Sequence, residues 1–397
     1  MKLCWLLHSD RSGGITPVAL TCCRQASKAG HEATMLFLEM PTWIKSDDFR
    51  VSSLGLSRKD DATEAPRILL EWLTENPQDI IFFNGCSEFE PIIPCLPPNI
   101  KCVYVVHDTA RQYWHLALKE EANLDSIIAV SETIANKFRH LLTQFQKLSI
   151  IYNGCVFPDA SQSDMSRQND LIFLGGDNPI KGAFDVLKLW KSLIKFGFTG
   201  KLHWFGVLTP ELKTQISQLP NSEQIQIYGY VQRQVIFATA ASSKVLLMLS
   251  RVEPFGMATI EAMSMGCVPV AWDIETGTKE IVSSDKTGLF APLGHLEILA
   301  KQVLSACDNY SDFSAAVIER ARSDFNETVM WTGYESLINQ LSTSPPLERT
   351  KNGHTPPPYQ KSIHRFQLLP SNVRSMIRES VGRSPTLGYW LRDMRGW

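Results

Sequence analysis

Residues 250–270, SRVEPFGMATIEAMSMGCVPV, set two carboxylates, Glu253 and Glu261, eight positions apart in a mostly apolar stretch. Pro254-Phe255-Gly256 turns the chain, and the spacing predicts a short helix through Ala262 and Met263. Glu253 then lies just before the helix and Glu261 within its early turns. A carboxylate buried without partners costs several kcal/mol, so neither belongs in a plain core. One account is that both face solvent, with the helix dipole favouring acids at this end. The other is that each accepts hydrogen bonds from a polyol, whose paired hydroxyls suit a carboxylate.

Other groups could do related chemistry. Lys181-Gly182 opens a predicted helix, where an ammonium beside free amides makes a reasonable diphosphate site. An exposed lysine is the ordinary alternative, although the dipole disfavours a cation there unless an anion joins it. Gly13-Gly14 precedes another helix and lets backbone approach an anion, or serves only as a tight turn. It is not GxGxxG, which disfavours a dinucleotide oxidoreductase. His107 ends a strand and could bond a sugar hydroxyl or titrate near neutrality, or be structural.

These residues need a scaffold that gathers strand ends. Strand-sized apolar runs alternate with helical segments: KLCWLLH, EATMLFLE, DIIFFN, IKCVYVVHD, DSIIAVS and KLSIIYNG in the first 150 residues. DLIFLGG, KLHWFG, IQIYGYV, KVLLMLS and CVPVAW follow in the second series, while ETIANKFRHLLTQF reads as one of the helices and residues 41–65 and 86–98 as loops. Continuous apolar strands between helices imply parallel sheets covered on both faces. The expected class is α/β, with two doubly wound, Rossmann-like domains facing across a cleft. Residues 1–153 form the first domain and 154–325 the second. A helix over 326–341 packs back on the first, and 342–397 is a Pro-rich basic tail. The segment 153–170 reads as the hinge. Ligands of such sheets bind at strand carboxyl ends, which is where His107, Gly175-Gly176, Lys181, Arg251 and Glu253 fall.

The bulk numbers agree with a two-domain globular chain: 397 residues, 44% hydrophobic, 20% charged. A net charge of −2 gives no case for nucleic acid. The nine cysteines show no CxxC or zinc spacing and are expected as buried thiols. The apolar run in MKLCWLLHSDRSGG is too short for a signal peptide, and a cytosolic protein is expected.

In order along the chain, the motifs resemble one family. EPFGMATIEAMSMGCVPV resembles the E-x7-E segment of retaining glycosyltransferases of the GT-B fold, family 4 (the group 1 transferases). GGITPVALTCCRQASKAGHEATML resembles the family's opening. VVHDT, IIAVSET and IIYNGC resemble its middle markers. FLGGDNPIKGAFDVL resembles its phosphate segment, and GTKEIVSSDKTGLFAP the stretch after the glutamates. The likeness covers most of residues 1–341.

The resemblance implies a transferase that moves a sugar from a nucleotide diphosphate donor with retention of anomeric configuration. UDP-sugar is the default donor, and the acceptor is a sugar, a lipid-linked or a small molecule in glycan, glycolipid or glycoside biosynthesis. By similarity Glu253 meets the donor sugar's hydroxyls, Glu261 the ribose, and Lys181 the departing diphosphate. After the turn at Phe255, the amides of Gly256, Met257 and Ala258 face the sugar or phosphates. His107 touches the sugar, and Gly13-Gly14 lies by the phosphates. Asp-x-Asp is absent, so no metal or other cofactor is expected. One departure stands out: the family's Arg after the phosphate-strand glycine is Gly176 here, and Arg251 is a candidate replacement. A GT-B phosphorylase, a nucleotide-sugar epimerase and a non-catalytic nucleotide-sugar-binding partner are the alternatives. The tail, with nine Lys/Arg against three acids over 345–397, suggests peripheral membrane contact on the cytoplasmic face, or packing on the body. Oligomeric state is left open.

Overall fold

The apolar runs form strands that are buried on both faces, which forces helices onto each side of each sheet. The structure is a computed structural model describing residues 1–10, 13–57, 62–158, 167–360, 370, 372–373 and 376–377. These form two compact units, Met1–Val156 with the chain from residue 327 to 360, and Phe157–Asn326.

The first unit contains β1 (Lys2–Leu7), α1 (Ile15–Lys28), β2 (Glu32–Phe37), β3 (Arg50–Ser53), α2 (Ala65–Glu75), β4 (Ile80–Phe83), β5 (Lys101–Val106), α3 (Arg111–Lys119), β6 (Ser126–Ala129), α4 (Glu132–Phe138) and β7 (Leu148–Ile150). Among the described residues its sheet is seven-stranded and parallel, in the order β3-β2-β1-β4-β5-β6-β7. The strand order reverses at β1, so the crevice beyond β1 and β4 is its switch point.

The second unit contains β8 (Gln168–Phe173), α5 (Ala183–Lys195), β9 (Leu202–Phe205), α6 (Pro210–Ser217), β10 (Ile225–Gly229), α7 (Arg233–Ser242), β11 (Ser243–Met248), α8 (Met257–Ser264), β12 (Val268–Trp272), α9 (Gly277–Ile281), β13 (Leu289–Ala291), α10 (Leu296–Asp308) and α11 (Tyr310–Asp324). Among the described residues its six strands are parallel in the order β10-β9-β8-β11-β12-β13, reversing at β8. Leu171, Phe173, Trp190, Trp204 and Val245 fill one face of this sheet. Ile172, Phe205, Leu246 and Met265 fill the other.

A last helix, α12 (Glu327–Thr343), returns to the first unit and packs on α1. Its Tyr334 ring meets Phe82 edge-on at 5.7 Å between centroids. Beyond it, residues 345–359 lie on the first unit. Arg349 is their anchor: its guanidinium donates to the carbonyls of Asn123, Pro97 and Ile100, each at 2.9 Å, and to Asp125 at 2.6 Å. The tail is therefore packed over this stretch rather than a free basic end. TLGYWLRDMRGW and most of NVRSMIRES lie outside the described residues. Much of the expected hinge, residues 159–166, does as well.

Two local expectations need correction. The stretch 41–65, read as loop, contains the edge strand β3. The helix read through ETIANKFRHLLTQF stops at Phe138 and continues as a short 3-10 turn over Arg139–Leu141. The amides of Thr143 and Gln144 donate to the Glu121 carboxylate instead of to a helical carbonyl, at 3.2 and 2.6 Å. All nine cysteines are buried thiols, and burial pushes Cys267 and Cys307 up to about 12. Among the described residues no helix is long and apolar enough to cross a membrane.

Candidate active site

At the second unit's switch point, the loops after β8 and β11 are locked together by backbone. The Arg251 amide donates to the Ile180 carbonyl at 2.7 Å. Gly182, with φ +91°, sits so close to β11's exit that a Cβ would lie 2.5 Å from the Leu249 carbonyl oxygen. Only glycine meets both demands. Asn178 caps the turn Pro179–Lys181 by accepting from the Ile180 amide at 2.9 Å.

This clamp brings Lys181 to Glu253. Nζ donates to Oε2 at 2.6 Å, and the Ser250 hydroxyl donates to the same oxygen at 3.2 Å. Glu253 is buried while the Lys181 side chain is 37% exposed, so the ammonium is reachable and the carboxylate is not stranded. The Glu253 carbonyl in turn accepts from the Gly277 amide at 2.7 Å. A Cβ on Gly277 would lie 2.2 Å from the Phe255 carbonyl oxygen. The start of α9 thus holds the Pro-Phe-Gly turn in place, and the buried Phe255 ring meets Phe325 at 5.8 Å.

Gly256, with φ +118°, opens α8. The Thr259 amide donates to the Gly256 carbonyl at 2.9 Å, while those of Met257 and Ala258 precede any intrahelical acceptor and present a positive dipole end. Glu261 lies further along α8. It is partly buried, which pushes its carboxyl up, and Arg233 works the opposite way from the first position of α7. Arg233 Nη2 donates to Glu261 Oε1 at 2.7 Å.

Arg251 does not fit the role of substitute cation. Its guanidinium is buried and turned inward. Nη1 pairs with Asp185 of α5 and donates to the Leu249 carbonyl at 3.1 Å. Asp185 also accepts from Trp272 Nε1 at 3.2 Å. The charge of Arg251 is spent inside the unit. Gly176 has its own reason for being glycine. Its φ is +53°, and a Cβ would lie 3.0 Å from the Val207 carbonyl oxygen. Gly206 approaches so closely that its own Cβ would fall 2.5 Å from the Gly176 Cα. An arginine here would meet both backbone strain and that close approach.

In the first unit, His107 follows β5. Its Nε2 bonds Asn84 Oδ1 at 2.9 Å, and Asn84 Nδ2 donates to the Phe82 carbonyl at 3.0 Å. The second bond fixes which way the amide points, so Nε2 of His107 carries the proton and Nδ1 is left as an acceptor. Burial holds the imidazole neutral, down to about 4. Gly13 (φ +51°) and Gly14 are exposed at the start of α1. Nearby, Asp10 holds the 42–43 loop by accepting from the Thr42 and Trp43 amides. Burial works to raise its carboxyl, but these bonds outweigh it and the net shift is downward.

The sequence therefore named Lys181, Glu253 and Glu261 but missed their partners Ser250 and Arg233. For Arg233 a signal existed: it is a cation opening a predicted helix, the same anomaly that singled out Lys181.

Comparison with known proteins agrees with this geometry. The family profile described as "Glycosyltransferase Family 4" matches residues 12–156, and "Glycosyl transferases group 1" matches residues 159–324. Among solved structures, a glycosyltransferase from Rickettsia africae has 15% sequence identity and a TM-score of 0.70, over 86% of this chain and 99% of that one. HepE from Anabaena, solved in complex with UDP, has 17% identity and a TM-score of 0.68, over 86% and 100%. Two parallel doubly wound sheets with these neighbours define the GT-B fold. With both profiles matched in order, the chain belongs to the group 1, family 4 glycosyltransferases.

Curated relatives are more distant in extent. A GDP-mannose:cellobiosyl-diphosphopolyprenol alpha-mannosyltransferase from Xanthomonas oryzae is 24% identical over 53% of this chain and 58% of its own length. A lipopolysaccharide 1,6-galactosyltransferase from Salmonella typhimurium is 24% identical over 63% and 72%. In a third relative the share falls to 42%, so the chain spans about half the length of several curated relatives it matches.

Proposed function

We propose that this glycosyltransferase moves a sugar, with retention and without a metal ion, from a nucleotide diphosphate donor to a sugar or lipid-linked acceptor on the cytoplasmic side. The observation that carries the reading is the Lys181–Glu253 pair, 2.6 Å apart where the strand order of the second sheet reverses. There a reachable ammonium and the first turn of α8 converge on the place where such sheets hold ligands.

In the proposed reaction the bond between sugar C1 and the terminal phosphate oxygen breaks, and its electron pair goes to that oxygen. Lys181 and the α8 amides stabilise this charge as it grows, more in the transition state than before it. Glu253 accepts hydrogen bonds from the donor sugar's hydroxyls, and Glu261 from the ribose. The acceptor oxygen bonds C1 on the face the phosphate leaves, and its proton passes to the departing phosphate. His107 of the first unit, neutral and with Nδ1 able to accept, suits a sugar hydroxyl. UDP-sugar is the default donor, supported by the UDP in the HepE structure. The printed name of the Xanthomonas relative makes GDP-mannose the first competitor.

The test is nucleotide diphosphate release from UDP-, GDP- and ADP-sugars by purified protein, with the anomer of the freed sugar read by NMR. One donor is expected to be hydrolysed slowly to the retained anomer, unaffected by EDTA and lost in Glu253→Ala. An inverted product, or a strict need for a divalent ion, would contradict the mechanism. Silence together with no thermal shift from any nucleotide would favour a binding partner over a catalyst.

A further inference from the structure

Arg233 stands out as a charged group that the reaction above leaves unused. It occupies the first position of α7, where the helix dipole disfavours a cation unless an anion joins it. The anion is Glu261, 28 residues on, held by Nη2 at 2.7 Å. The guanidinium lies over Phe237, with Cζ 5.0 Å from the ring centroid, which limits the rotamers open to the side chain. Its Nε is buried with no partner. A single charged pair thus ties α7 to α8, and it engages one carboxylate oxygen, Oε1, leaving Oε2 of Glu261 for another donor.

We infer that Arg233 is a positioning residue for recognition of the nucleotide's ribose: it fixes the Glu261 carboxylate in one orientation, so that Oε2 meets the ribose diol. The inference rests on the donor reading above and deepens it by assigning ribose selectivity to the pair rather than to Glu261 alone. Without Arg233, Glu261 keeps its burial and loses its counter-charge, so it would turn or take up a proton and accept less well. Lys at this position would restore the charge but not the planar fork, and so only part of the function.

The experiment measures calorimetric affinities of the full chain for UDP, GDP, ADP and their 2′,3′-dideoxy analogues, in wild type, Arg233→Met and Arg233→Lys. Met keeps an unbranched stem and removes the donor. Wild type is expected to bind one of the three nucleotides and to bind its dideoxy analogue more weakly by about tenfold or more. Arg233→Met should lose about tenfold for the natural nucleotide and almost nothing for the dideoxy form, closing the gap between them. Arg233→Lys should fall between. Equal losses for both ligands would mean general attraction of phosphate or a damaged fold, and would overturn the inference. So would an unchanged natural-to-dideoxy ratio. If wild type binds none of UDP, GDP and ADP, the donor reading itself falls and takes this inference with it, which separates the two failures.

Discussion

The two units share a topology and differ in what stands at the place where their strand order reverses. Beyond β8 and β11, charges are paired: Lys181 with Glu253, and, on the adjoining helices, Arg233 with Glu261. In the first unit, beyond β1 and β4, the groups near the strand ends are chiefly neutral or locked. His107 is held uncharged against Asn84, Asp10 is occupied by the 42–43 loop, and Gly13-Gly14 offers only backbone. A doubly wound sheet thus supplies a location, and the side chains placed there decide what it holds. Charged partners suit an anionic nucleotide; neutral acceptors suit sugar hydroxyls.

Substitutions at four positions would break or sharpen that contrast. The largest effect is expected at Glu253. Changing it to Ala should lower transfer by about a hundredfold to a thousandfold, while the affinity for nucleoside diphosphate falls far less. Steady-state rates beside calorimetry would show the split, and equal losses in both would demote Glu253 to a simple binding group. Next comes Arg251, whose burial against Asp185 makes it a structural charge. Arg251→Met should cost about 3–5 kcal/mol in urea unfolding and leave nucleotide affinity of the folded protein intact.

His107 tests the neutral side. Its imidazole is held at about 4, against an unfolded value of 6.5. The unfolded chain gains a proton below 6.5 that the folded one refuses. This contribution is therefore fully present above pH 6.5 and is lost as pH falls toward 4. Between pH 7.5 and 4.5, wild type should lose about 2 kcal/mol more stability than His107→Gln. An identical pH slope in the two proteins would show that the imidazole is not held neutral. The smallest effect is at Gly176, where Ala should cost about 1 kcal/mol in strain. Gly176→Arg should destabilise as well, and a gain in nucleotide affinity from it would show that the position still awaits a cation.

The strands were legible because buried parallel strands read as unbroken apolar runs; IIFF and KCVYVV could be little else. β3 was not, since RVSS is four residues at a sheet edge with a largely polar, half-buried surface. The overlong fourth helix shows a second limit. Leu141 to Phe145 keeps helical periodicity, yet Glu121, more than twenty residues earlier, takes the amides a helix would need. The site divides in the same way. Lys181, Glu253 and Glu261 announce themselves as charges in odd places along the chain. Which charge answers which is a matter of long-range contact. Arg251 was legible as a cation near Glu253, but its partner Asp185 lies 66 residues back on another helix. Gly176 was legible as a departure, and its cause, the approach of Gly206, was not.

The central claim is that the loops joined at β8 and β11 hold the nucleotide. Amide hydrogen exchange, with and without saturating UDP or GDP, tests it most directly. Protection concentrated in residues 176–182 and 253–261 is the predicted result, and it should vanish in Glu261→Ala at the same nucleotide concentration. Saturable binding that leaves both segments exchanging as before would contradict the account.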